Sequence, residues 1–177
     1  MNLYNIAFQA IKDEFDYTDS IDIEQLKTEF PKLEEDGASF VTLTQKGKLR
    51  GCIGSLVARR PLIEDIIANA KNAAFRDPRF PKLSKEELST TDIEVSILTK
   101  PELLEYSDID DLKRKIRPNI DGVILKLDEK QATFLPQVWE ELPDFESFFA
   151  HLLNKAGLSM ESFKNHPQIQ TYTVKKF

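Results

Sequence analysis

The chain has 177 residues, enough for one domain with a sizeable core or two tightly associated lobes. Its 24 Lys and Arg against 30 Asp and Glu give a formal net charge of −6, which disfavours nucleic acid or an anionic membrane surface as partner. One cysteine rules out an internal disulfide and an iron–sulfur cluster. With no signal-like N-terminal stretch and no apolar run of membrane length, the expectation is a cytoplasmic protein.

Leu3, Ile6, Ala7, Ala10, Ile11 and Phe15 recur at helical spacing and predict an opening amphipathic helix. A short helix around Ile23–Leu26 follows, before Pro31. Residues 40–44 read as a strand, 45–48 as a turn, and Leu49 to Val57 as a return strand interrupted by Gly51 and Gly54. Pro61 suits the first position of a helix, and Leu62, Ile63, Ile66, Ile67, Ala70 and Ala74 form its apolar stripe. Arg76-Asp77-Pro78-Arg79-Phe80-Pro81 ends it. Ile93 to Ile97 alternates with period two and predicts a strand with one buried face. A short helix begins at Ser107.

Beyond Pro118 the order returns. Residues 122–127 form a strand, 128–130 a turn and 131–135 a return strand. Asp144 caps a Phe-rich helix closed by Gly157, and Ile169 to Val174 is the last strand. Hairpin, helix and strand thus occur on each side of about residue 105. With no Gly-, Ser- or Pro-rich linker, the expectation is a single domain over residues 1–177 with a pseudo-repeat and one fused sheet.

Four strings together resemble a known family: Leu49-Arg50-Gly51-Cys52-Ile53-Gly54-Ser55, Phe75 to Pro81, Glu94-Val95-Ser96-Ile97-Leu98, and Thr133 to Glu140. They are similar to the AMMECR family, called AmmeMemoRadiSam system protein A in microbes. Lys155-Ala156-Gly157-Leu158 agrees with the microbial branch. The resemblance implies an α+β fold, two repeats of strands and helices around one barrel-like, largely antiparallel sheet. It also implies the company of a Memo-type protein and a radical S-adenosylmethionine enzyme. It supplies no reaction and no cofactor. Many relatives carry a histidine just before the glycine of the central strand, where this chain has Asp121.

Cys52 is the sharpest chemical candidate, as nucleophile or as carrier of a substrate fragment. The competing reading is a small buried hydrophobe in a tight strand. Gly51 and Gly54 mark special backbone or close approach to it. Arg50, Arg76 and Arg79 present guanidinium forks suited to one anion and would favour a nearby thiolate. Their structural alternative is an Arg76–Asp77 pair and a turn fixed by Arg79. Glu94 and Ser96 share a strand face; Glu94 would be a general base if that face lines a cleft, and otherwise both face water. His151 and His166 have no metal-ligand spacing with Cys52, so no metal is expected. Trp139 with Phe134 and Pro136 is either an exposed aromatic anchor or core. Two functions follow: a thiol-dependent enzyme or carrier, or a non-catalytic module that binds a ligand or partner.

Overall fold

The computed structural model describes residues 2–177. Helix α1 (Leu3–Asp16) starts where the Asn2 side chain accepts from the Tyr4 N–H, and it buries Leu3, Ile6, Ala7, Ala10 and Ile11. A shorter helix, α2 (Ile23–Glu29), is capped by Asp22 and buries none of its residues. Strands β1 (Ala38–Gln45) and β2 (Lys48–Gly54) pair antiparallel. Their two-residue loop, Lys46 and Gly47, has φ of 51° and 74°, the type I′ geometry that matches strand twist.

The return strand stops at Gly54 rather than running to Val57. A Cβ at Gly54 would lie 2.2 Å from the Phe40 ring, so only glycine lets that ring lie across the strand. Helix α3 (Leu62–Phe75) follows, with Pro61 one residue outside it at the cap. Its Ile63, Ile66, Ala70 and Ala73 pack against α1 and the inner sheet face. Full burial of an Ile side chain contributes about 2–3 kcal/mol. One-turn helix α4 (Lys85–Leu88) is held by a Ser84–Glu87 capping box, and β3 (Asp92–Leu98) pairs antiparallel with β1.

The second part begins with a two-residue strand, β4 (Glu102–Leu103), and helix α5 (Ile109–Lys115). Strands β5 (Gly122–Leu127) and β6 (Lys130–Phe134) form a second antiparallel hairpin. One-turn helix α6 (Val138–Glu141) and helix α7 (Phe145–Lys155) follow, the latter capped by Asp144 and ended near Gly157 at φ 72°. Strand β7 (Gln168–Tyr172) and strand β8 (Val174–Lys176) replace the single last strand expected from the pattern. Between them, Thr173 bonds both ways with Thr99.

The chain divides into two compact units, residues 2–98 with Lys175–Phe177, and Thr99–Val174. The architecture is α+β, with antiparallel hairpins, as expected. The strands form two four-stranded sheets, ordered β2-β1-β3-β8 and β4-β7-β5-β6, in place of one fused barrel-like sheet. In each sheet the first hairpin strand sits between its partner and the later strand. The repeated order seen in the sequence is therefore repeated pairing. Among the described residues no helix is long and apolar enough to cross a membrane.

Each unit has its own apolar cluster. In the second, Trp139 is fully buried and stacks on Phe148 at 3.6 Å, while its Nε1 donates to the Asp121 carbonyl. Phe134 packs against the same cluster, so Trp139 and Phe134 are core rather than an exposed patch. The Asp121 carboxylate accepts from Arg117 at its backbone N–H, Nε and Nη2.

Candidate functional site

The cysteine string lies on β2, whose outer edge has no neighbouring strand among the described residues. A Cβ on Gly51 would sit 2.2 Å from the Ala73 carbonyl oxygen, so α3 covers the Gly51 face. Side chains alternate along a strand, which turns Cys52 to the opposite face. Across the sheet Cys52 pairs with Thr42, and Thr42 pairs with Glu94. The half-buried thiol lies 3.3 Å from the Thr42 hydroxyl. Glu94 forms an ion pair with Lys176 at 3.2 Å and its side chain is 44% exposed. Ser96, one step along the same face, is buried.

The free edge of β2 is closed by a loop. The buried Asp77 carboxylate accepts the Cys52 N–H at 2.9 Å, and Arg79 Nη2 donates to the Cys52 carbonyl at 3.1 Å. Arg79 also donates to Asp77 from its backbone N–H, Nε and Nη2. Hydrogen bonds from Arg79, set against burial, hold the Asp77 carboxyl well below the usual carboxylate range, and the same pairing raises Arg79. The Arg-Asp-Pro-Arg string therefore satisfies both backbone groups of Cys52, as an edge strand requires.

Arg50 turns to another partner. Its Nε and Nη2 grip Glu87 at 3.0 and 3.1 Å, and its Nη1 and Nη2 donate to the carbonyls of Pro81 and Lys82. That pairing lowers Glu87. Arg76 is exposed and donates to Asn72 Oδ1, so the expected Arg76–Asp77 pair is replaced by Arg79–Asp77. The three arginines expected to share an anion thus each have a separate intramolecular partner. Gly51 and Gly54 are each explained by a neighbour in the fold, α3 and Phe40. His151 bonds the Ser147 carbonyl on its own helix, and His166 stacks on Tyr106. No group of three or more His, Cys, Asp or Glu able to hold a metal occurs among the described residues.

A second polar cluster lies on the α3 side of the sheet. Asp65, 2% exposed, gathers donors from Ser39, Ser55, Arg60 and Asn69. No sequence motif marks Asp65 as functional. Its signal was present: Asp65 and Asn69 stand at i and i+4 on the apolar stripe of α3, where a carboxylate and an amide are costly unless paired.

Residues 4–177 match the AMMECR1 family model. A protein of Methanothermobacter thermautotrophicus is 43% identical over 134 residues, covering 75% of this chain and 69% of that protein. A protein of Sulfolobus acidocaldarius is 38% identical over 181 residues, covering 99% of this chain and 77% of that one. The crystal structure of uncharacterized protein PH0010 from Pyrococcus horikoshii aligns with a TM-score of 0.78 at 34% identity, covering 98% of this chain and 88% of that chain.

Proposed function

This chain belongs to the AMMECR1 family, and from that premise we propose that it is a cytoplasmic binding module, not a thiol enzyme. One observation supports this reading above the others. The cationic groups nearest the Cys52 backbone and string are already matched, Arg79 by Asp77 and Arg50 by Glu87. A reactive thiol is favoured by unmatched positive charge, and these pairs leave little of it. The chemistry of the string then serves shape: a closed sheet edge, a glycine beneath α3 and a glycine beneath Phe40.

The family resemblance supports a setting beside a Memo-type protein and a radical S-adenosylmethionine enzyme. With one cysteine in this chain, the cluster and the radical step would belong to the partner. A second reading keeps Cys52 as nucleophile or carrier and Glu94 as base. It is favoured by the half-buried thiol, its immobilised backbone and the hydroxyl of Thr42 at 3.3 Å.

Cys52→Ser separates the two. Under the binding reading the variant folds, keeps cellular function and keeps partner capture, and the folded wild-type thiol reacts with iodoacetamide no faster than free cysteine. Loss of function in a folded Cys52→Ser protein, together with fast alkylation of the wild type, would overturn it.

A further inference from the structure

Between β2 and α3 lies an open, shallow cleft of about 500 Å3, lined by Ser55, Leu56, Val57, Arg59, Arg60 and Asp65. Small-molecule sites span about 300–1,000 Å3. Asp65 Oδ2 accepts from the Ser39 N–H, the Ser39 hydroxyl and Asn69 Nδ2; Oδ1 accepts from the Ser55 hydroxyl and Arg60 Nε. With five donors, Asp65 has no need of a cationic ligand. Its effect is to orient Arg60. The Nε bond at 2.9 Å fixes the guanidinium plane, while Nη1 and Nη2 have no partner among the described residues. Exposed Arg59 has no hydrogen bond or ion pair among them either. Leu56 and Val57 put exposed apolar surface at the same cleft.

We propose that this cleft receives a small monocarboxylate with a short aliphatic chain. The inference rests on the binding-module reading and gives that module its ligand class. The end-on N–H pair of Arg60 takes both carboxylate oxygens, as a planar fork does best. Arg59 supplies the second cation, and Leu56 and Val57 cover the chain. The formal charge of the lining, Arg59 and Arg60 against Asp65, is +1, which matches a monoanion better than a phosphate dianion. The Ser55 hydroxyl already donates its hydrogen bond to Asp65 and offers a ligand only acceptor capacity.

The test is a titration of the full chain, followed by backbone amide shifts, with hexanoate, uncharged hexanamide and inorganic phosphate. Hexanoate should give saturable shifts at residues 55–60 and bind about tenfold more tightly than either control. Arg60→Gln should abolish the response. Because it also disturbs Asp65, Arg59→Gln is measured beside it; that variant leaves the Asp65 network intact and should weaken hexanoate severalfold with the rest of the spectrum unchanged. Absence of saturable hexanoate binding to the wild type, equal binding of hexanamide or phosphate, or an unaffected Arg59→Gln would each overturn the proposal. Cys52→Ser should bind hexanoate as the wild type does. Loss of cellular function in that variant would sink the module reading while leaving the hexanoate result standing.

Discussion

Gly51 and Gly54 flank the same thiol and look equivalent in the sequence, yet their replacement by alanine should differ in cost. At Gly51 the new methyl would meet the Ala73 carbonyl oxygen at 2.2 Å, and real Cβ atoms essentially never come within 3.0 Å of a neighbour. Relief needs about 0.8 Å of movement between β2 and α3. Helix α3 cannot easily yield, because Ile63, Ile66, Ala70 and Ala73 are 0–1% exposed and close-packed. Overpacking a core costs about 1–3 kcal/mol, and a backbone obstacle puts Gly51→Ala at the top of that range or beyond. At about 2–4 °C per kcal/mol for a chain of this size, the melting temperature should fall by about 6–12 °C. At Gly54 the obstacle is the Phe40 ring at 2.2–2.5 Å, a side chain that can swing aside, so Gly54→Ala should cost about 1 kcal/mol. Urea denaturation of both variants, repeated in a Phe40→Ala background, completes the cycle. The Gly54→Ala penalty should then largely vanish, and the Gly51→Ala penalty should persist. Equal costs at the two glycines, or a Gly51→Ala protein as stable as the wild type, would refute the assignment of these glycines to α3 and Phe40.

The clamp on Cys52 is asymmetric: the Asp77 side chain is 1% exposed and that of Arg79 is 54% exposed. Asp77→Ala should therefore cost about 2 kcal/mol, by orphaning the Cys52 N–H while water takes over the exposed guanidinium, and Arg79→Ala about 3 kcal/mol, by leaving a buried carboxylate without its cation, read from urea midpoints at equal slope. Acid should destabilise the fold through Asp13 and Asp77. Burial works to raise Asp13, but hydrogen bonds from Ser20, Gln9 and Thr18 prevail and hold it at about 2. Its carboxyl is lowered in the folded state, so the unfolded chain takes up the proton first as pH falls. The stabilisation is present above about pH 4 and is lost toward pH 2. For Asp13 alone it is about 2 kcal/mol, and Asp13→Asn should flatten the stability profile over about pH 2–4 when denaturation is followed across that range.

The elements were readable where a single periodicity runs for several residues. The apolar stripes of α1, α3 and α7 survive almost to the residue, whereas the alternation of β3 holds through Val95 and then breaks, Ser96 being buried and Ile97 half-buried. One-turn helices α4 and α6 and two-residue β4 carry too few residues for any period. The division into two sheets was hidden because strand neighbours are chosen by contacts distant in sequence. The partners of the arginines were hidden for the same reason: Arg50 and Glu87 stand 37 positions apart. Arg76 and Arg79 compete for Asp77 from either side, and the geometry of the loop, not spacing, decides for Arg79. Asp65 is legible by position alone, a carboxylate on an apolar stripe.

The first unit is discontinuous: β3 ends at Leu98, and its neighbour β8 begins only at Val174, after every strand of the second sheet. During vectorial synthesis the first sheet therefore waits with the β3 edge open while the whole of the second unit is made. The second unit is continuous and can close as it emerges. An open strand edge is a template for wrong pairing. Slow elongation through residues 99–173 should thus lengthen the interval in which the β3 edge is exposed, since β3 gains its second neighbour only with β8.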